Sequence, residues 1–216
     1  DRGISDLMTN SNPTVGLAAH AGQTDVRITA KADSETEAEA LIAAMEAALR
    51  ERLGVAIYGV EQETVAGVVG QLLVDRNLSL GVVDMLTGGQ LHRDLFEAGF
   101  GAVINRAIDL TSPAAAWRDL GLQGAPDTAA GEGLAVAARL AEAVSPTGGL
   151  GLALIGPAPD ENRTTFMALH GPGDYRRAET GRQFNDSDYV RRWLTIQGLD
   201  WVRRAVLGQL TSPVDW

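Results

Sequence analysis

Residues 78–89, Leu-Ser-Leu-Gly-Val-Val-Asp-Met-Leu-Thr-Gly-Gly, carry the reading of the fold. Leu78 to Val83 is a mostly apolar run of strand length, the pattern of a parallel strand whose two faces are both covered. Asp84 to Gly89 then forms a short loop, and a helix is expected to begin near Gln90. In an open α/β sheet, ligands bind in the crevice beyond the strand C-termini, where a helix N-terminus offers unpaired N–H groups to an anion. Gly88 and Gly89 would let a phosphate or carboxylate approach the backbone closely, although a tight strand-to-helix turn needs the same two residues.

The flanking pattern agrees with a layered α/β domain. Upstream, Val65, Val68, Val69, Leu72 and Leu73 form an apolar stripe at helical spacing, stopped at Asn77. Downstream, strands are expected at Ala107 to Leu110, Leu150 to Ile155 and Thr164 to His170. Between them helices are expected at Pro113 to Leu120, capped by Ser112, and at Gly133 to Val144. A last helix, from Asp188 to Leu210, places Val190, Trp193, Leu194, Gln197 and Trp201 on adjoining faces. Strands alternating with helices imply a three-layer α/β fold with a mixed or mostly parallel sheet.

The first sixty residues read differently. Val15, Leu17 and Ala19 alternate with polar neighbours, as do Val26, Ile28 and Ala30 after a turn at Gly22, which is a hairpin. Ser34 and Glu37 form a capping box. The helix they start carries Leu41, Met45, Leu49 and Leu53 at every fourth position, with Met45 read as core, and can stop at Gly54. Val55 to Tyr58 is expected to be a third strand, and the polar run Glu61 to Thr64 a linker. The expected division is therefore a small α+β domain at 1–60 and the α/β domain at 61–216.

The 216 residues include 45% hydrophobic and 21% charged side chains, a globular composition. With no cysteine there is no disulfide framework or thiolate chemistry, and His20, His92 and His170 lie too far apart for a short metal-binding spacing. The net charge of −10 disfavours a phosphate backbone as partner, so nucleic acid is not expected. No apolar run reaches the roughly 18 to 20 residues that cross a bilayer, and the start lacks a signal-peptide pattern, so a cytoplasmic, non-membrane protein is expected. The chain opens at Asp1 without an initiator Met, which reads as an excised fragment.

NSNPTVGLAAHAGQTDVRITAKADSETEAEALI, then LRERLGVAIYG and VVGQLLVDRNLSLGVVDMLTGG, resemble the competence/damage-inducible CinA proteins. The resemblance covers nearly the whole chain and is strongest from Asn10 to Gly89. It implies a KH-like middle domain followed by a domain similar to nicotinamide mononucleotide amidohydrolases, without the family's N-terminal molybdopterin-binding-like domain. The KH-like region contains no GXXG loop of the kind that clamps nucleic acid.

The site departs from the family pattern. The family's loop resembles E-S-C-T-G-G, with the serine as nucleophile; here it reads DMLTGG, so Asp84 overlays the glutamate and Met85 the serine. A thioether has no proton to give up and cannot form an acyl intermediate. Over the family's Y-S-N-E-A-K lie Thr111 to Ala116. Thr111 replaces the tyrosine, Pro113 the asparagine and Ala116 the lysine, and only Ser112 matches. The later T-G-I-A-G-P element is shortened to Ile155-Gly156-Pro157-Ala158-Pro159, with no lysine among Asn162, Arg163 and Thr164. The G-D-R pattern is blurred to Asn185-Asp186-Ser187-Asp188.

Three functions follow as expectations. The first is a catalytically degenerate protein that binds or scaffolds, with Asp84, Thr87, Gly88, Gly89 and Ser112 as ligand-binding candidates. It would take a mononucleotide or another phosphate-bearing small molecule, use no metal or cofactor, and assemble as a homo-oligomer. The second is an active amidohydrolase using Thr87 or a water activated by Asp84, which requires Asp84 within hydrogen-bond reach of a hydroxyl. The third is a purely structural region that dimerises an enzyme domain.

Overall fold

The computed structural model describes residues 3–109, 112–126, 132–158, 163–171, 176–179 and 187–210, the backbone alone at 176–179. The chain divides into two compact units, Asp1–Tyr58 and Gly59–Trp216.

In the first unit a hairpin of β1 (Thr14–His20) and β2 (Gln23–Thr29) is paired from Thr14↔Thr29 to His20↔Gln23. Its open end is closed by Asn12, whose Oδ1 accepts from Lys31 N at 2.9 Å while Nδ2 donates to Lys31 O at 2.8 Å. Helix α1 (Glu35–Leu53) starts at Ser34, whose hydroxyl accepts from Glu37 N, and stops at Gly54. Ile4, Val15, Met45 and Leu49 make the core, with Leu7, Val26, Ile28 and Leu53 packed at its margin. Leu17, expected to share the core face with Val15, is instead exposed. The expected third strand at Val55 to Tyr58 is absent: Gly54–Ala56 is a 3-10 turn, and Ile57 and Tyr58 are not in a strand. A short apolar run satisfies its backbone in a tight turn where no neighbouring strand offers a ladder.

The second unit is built on a five-stranded sheet. It contains α2 (Val65–Asp75), β3 (Leu80–Asp84), α3 (Gln90–Glu97), β4 (Ile104–Ile108), α4 (Pro113–Asp119), α5 (Gly133–Val144), β5 (Leu150–Ile155), β6 (Thr165–His170), β7 (Arg176–Glu179) and α6 (Asp188–Val206). The strand order is β4-β3-β5-β6-β7. β4, β3 and β5 run parallel, β6 opposes β5 and β7 opposes β6, so the sheet is mixed. Strand β4 begins earlier than the sequence suggests and ends at Ile108, which leaves Asp109 just beyond the strand; Leu110 lies outside the described residues. Helix α6 ends at Val206 rather than Leu210, and β7 was not anticipated.

From β3 the chain crosses to β4 and then returns past β3 to β5. Right-handed crossovers in opposite directions put their helices on opposite faces. Accordingly α5 lies on one face and α3 and α6 on the other. Gly81 and Gly151, partners across β3 and β5, make room for α5. A Cβ at Gly81 would stand 2.0 Å from Val144 O, and one at Gly151 1.9 Å from Ala141 O. On the other face Gly198 of α6 packs on Leu91, Leu152 and Leu154. Side chains alternate along a strand, so Gly81 and Val83 face α5, while Leu80, Val82 and Asp84 face α3 and α6. No described helix is long and apolar enough to cross a membrane.

Candidate functional site

The strand order reverses at β3, and the C-terminal edge of β3, β4 and β5 is the position at which α/β sheets bind ligands. The loop 84–89 occupies this edge and is closed around one carboxylate. Asp84, 1% exposed, ends β3. Its Oδ1 accepts from Leu86 N at 3.0 Å and Thr87 N at 2.8 Å. Its Oδ2 accepts from Gly89 N at 3.1 Å and from the Thr87 hydroxyl. Thr87 Oγ1 in turn accepts from Leu91 N at 3.4 Å, in the first turn of α3. The structure therefore brings Asp84 within hydrogen-bond reach of a hydroxyl, and both side chains are 1% exposed.

Gly88 and Gly89 take positive φ, 65° and 80°, and make the turn into α3. The protein's own side chains crowd them. A Cβ on Gly88 would be 2.5 Å from Arg191 Nη1; one on Gly89 would be 2.8 Å from Asp109 Oδ2, 2.9 Å from His92 Cε1 and 3.0 Å from Arg93 Nη1. Arg93 donates to Gly88 O at 2.9 Å and to Gln90 Oε1 at 3.1 Å.

Met85 behaves as a packing residue. Its N–H donates to Leu154 O at 2.9 Å, and its side chain rests against the apolar cluster under α5 that contains Val83, Ile108, Ala116 and Ile155. Ala116 is fully buried there. Leu86 is buried as well. Ser112 caps α4, its hydroxyl accepting from Ala115 N at 3.3 Å. Thr111, Pro159, Asn162, Asn185 and Asp186 lie outside the described residues.

His92, Arg93, Asp109 and Arg191 also lie at this edge, although no sequence motif marks them as site residues. His92 Nε2 lies 3.6 Å from Asp109 Oδ2, and its ring meets Phe96 edge-on at 6.4 Å. Its buried Nδ1 has no partner among the described residues. Burial raises the Asp109 carboxyl above its ordinary value; His92 opposes that, the nearby Asp84 charge adds to it, and Arg93 opposes it. The Asp84 effect follows from the parallel register, because Val83 pairs with Ile108 and the next residues on each strand are the two aspartates. A strand correctly ended at Ile108 would have marked Asp109 as a rim residue. Among the described residues no group of three or more His, Cys, Asp or Glu could hold a metal ion.

Comparison with known proteins agrees with this architecture. Residues 1–59 match the family described as Damage-inducible protein CinA KH domain. A CinA-like protein of Frankia casuarinae is 35% identical over 98% of this chain and 51% of its own length. A putative competence-damage inducible protein of Clostridium novyi is 29% identical over 94% of this chain and 52% of its own. The chain thus spans about half the length of the curated relatives it matches.

Among solved structures, the Escherichia coli competence-damaged protein (CinA) superfamily protein superposes with a TM-score of 0.53 at 19% identity, covering 73% of this chain and 98% of that one. The Agrobacterium tumefaciens competence/damage inducible protein CihA gives 0.51 at 14% identity, covering 69% of this chain and 99% of that one. These two likenesses show the fold. Residues 1–59 are thus a CinA KH domain, and nearly the whole chain is similar in sequence to CinA-like and competence-damage inducible proteins.

Proposed function

We propose that the second unit is a catalytically degenerate relative of the nicotinamide mononucleotide amidohydrolases, which keeps their α/β scaffold and acts by binding or scaffolding. One observation carries the reading. Met85, at the position the resemblance gives to the attacking serine, packs on the apolar cluster that holds Ala116, at the position of the lysine. The positions that the resemblance gives to nucleophile and base hold a partly buried thioether and a buried methyl group of one apolar region, and residues that act as a unit lose function as a unit.

A second reading has its own support. The Thr87 hydroxyl donates to Asp84, a nucleophile beside a base. Burial opposes it: a substrate carbon cannot reach an oxygen on a residue 1% exposed without the loop opening. The Asp84 carboxylate is also occupied by three backbone N–H groups.

A phosphate-bearing ligand at this edge would face Arg93 and Arg191, since Asp84 already engages the Leu86, Thr87 and Gly89 N–H groups. Thermal-shift titration with nicotinamide mononucleotide separates binding from scaffolding, since saturation at one hundred times Kd adds about 2.7 kcal/mol to apparent stability. A shift supports the binding form, and its absence with a concentration-dependent oligomer supports the scaffold. Ammonia release that disappears in Thr87→Ala, with the fold intact, would replace the proposal by the second reading.

A further inference from the structure

Helix α6 holds two enclosed polar atoms that no other described residue hydrogen-bonds. Gln197 is 8% exposed and Trp201 1% exposed, and neither Gln197 Oε1 nor Trp201 Nε1 has a hydrogen-bond partner among the described residues. Four residues apart, the two side chains share one helix face, their Cβ atoms ~5–6 Å from each other. Their hydrogen-bonding senses are opposite: the amide oxygen accepts and the indole N–H only donates. Native interiors satisfy nearly all such atoms, by protein or by ordered water.

The helix has no slack to turn these atoms elsewhere. Between them Gly198 packs so closely on α3 and β5 that a Cβ would stand 2.9 Å from Leu91 Cδ1 and 3.5 Å from Leu152 Cδ2. One turn earlier, Thr195 is fully buried and its hydroxyl donates to Arg191 O at 2.9 Å. A close-packed interior fixes the rotation of such a helix.

We propose that a single water molecule is bound between Gln197 and Trp201, accepting from Trp201 Nε1 and donating to Gln197 Oε1. The pairing selects water over an ion. An anion would be repelled by the amide oxygen and a cation by the indole N–H, whereas water supplies an acceptor and a donor together. The same helix, its rotation set by the packing at Gly198, carries Arg191 to Gly88 and pairs Arg192 with Asp94.

The test uses the full chain. Water-selective NOE spectra of 15N-labelled protein are expected to show a cross-peak between Trp201 Hε1 and a long-lived water, weakened several-fold in Gln197→Met, which keeps the side-chain length and removes the acceptor. No cross-peak in the unsubstituted chain overturns the proposal, as does a cross-peak unchanged in Gln197→Met. A crystal structure of the unsubstituted chain decides it independently of any variant. Ordered water within about 3.2 Å of both atoms supports it, and a protein atom or dry contact there overturns it.

Discussion

The Thr87 hydroxyl donates to the Asp84 carboxylate inside a loop that hides both side chains. The same carboxylate accepts from Leu86, Thr87 and Gly89 N–H, so its place is that of a staple between β3 and α3. In Asp84→Ala three buried backbone donors lose a charged acceptor. At about 1–3 kcal/mol for each stranded group, partly relieved by relaxation, the unit should lose about 3–5 kcal/mol. Asp84→Asn, which keeps one oxygen, should lose roughly half as much. Urea denaturation measures both; an Asp84→Ala chain as stable as the parent would remove the staple from the account.

On the proposed reading, a hydroxyl at position 85 alone should not give chemistry. Met85→Ser puts a nucleophile on the loop but leaves Ala116, buried and without an amine, at the position that the resemblance gives to the lysine. The variant is expected to release no ammonia from nicotinamide mononucleotide above the buffer rate, and to be destabilised by about 1–3 kcal/mol through lost packing. Turnover in Met85→Ser would show that a base remains elsewhere at the sheet edge.

Gly81 and Gly151 should be the least replaceable residues of the sheet. Their missing Cβ atoms admit α5 carbonyls that an alanine would meet at 2.0 and 1.9 Å, and backbone cannot yield as a flexible side chain does. Either Gly→Ala substitution should cost roughly 3 kcal/mol or more, read by thermal or urea unfolding. Alanine at Gly16, where nothing lies within 4 Å, should cost much less.

Asp109 gives a pH signature. Burial first, and Asp84 with it, hold its folded carboxyl above the ordinary value of 3.8, so the folded state binds this proton more tightly than the unfolded chain. The stability it contributes is full below the ordinary value and is lost as pH rises through the elevated one. Asparagine stays neutral throughout. The Tm of Asp109→Asn relative to the parent should therefore climb as pH rises above the ordinary value of 3.8 and level off once the folded carboxyl has ionised. The side chain is 41% exposed, so the change should be small. A relative Tm that falls over this range would contradict the assignment.

Much of this architecture was legible in sequence because local signals coincided with tertiary ones. Ser34 and Ser112 cap the helices that follow them, as their spacing indicates. The apolar runs at β3 and β5 are buried along their whole length. What escaped was set by partners distant in the chain. Val55 to Tyr58 has strand composition but pairs with no strand among the described residues. Strand β4 carries Asn105 and Arg106 and lies at the sheet edge, so its pattern was blurred and its end misplaced. That displacement hid Asp109. His92 and Arg191 meet at the glycine pair only because α3 and α6 share a face, a relation that spacing along one chain does not encode.

The most direct measurement is a long incubation of stoichiometric protein with nicotinamide mononucleotide, followed by chromatography for the deamidated acid. With Met85 and Ala116 at the positions that the resemblance gives to nucleophile and base, the proposal expects the substrate to be recovered unchanged, at the rate of a protein-free control. Conversion well above that control, retained through purification and abolished by a substitution in the 84–89 loop, would contradict the account.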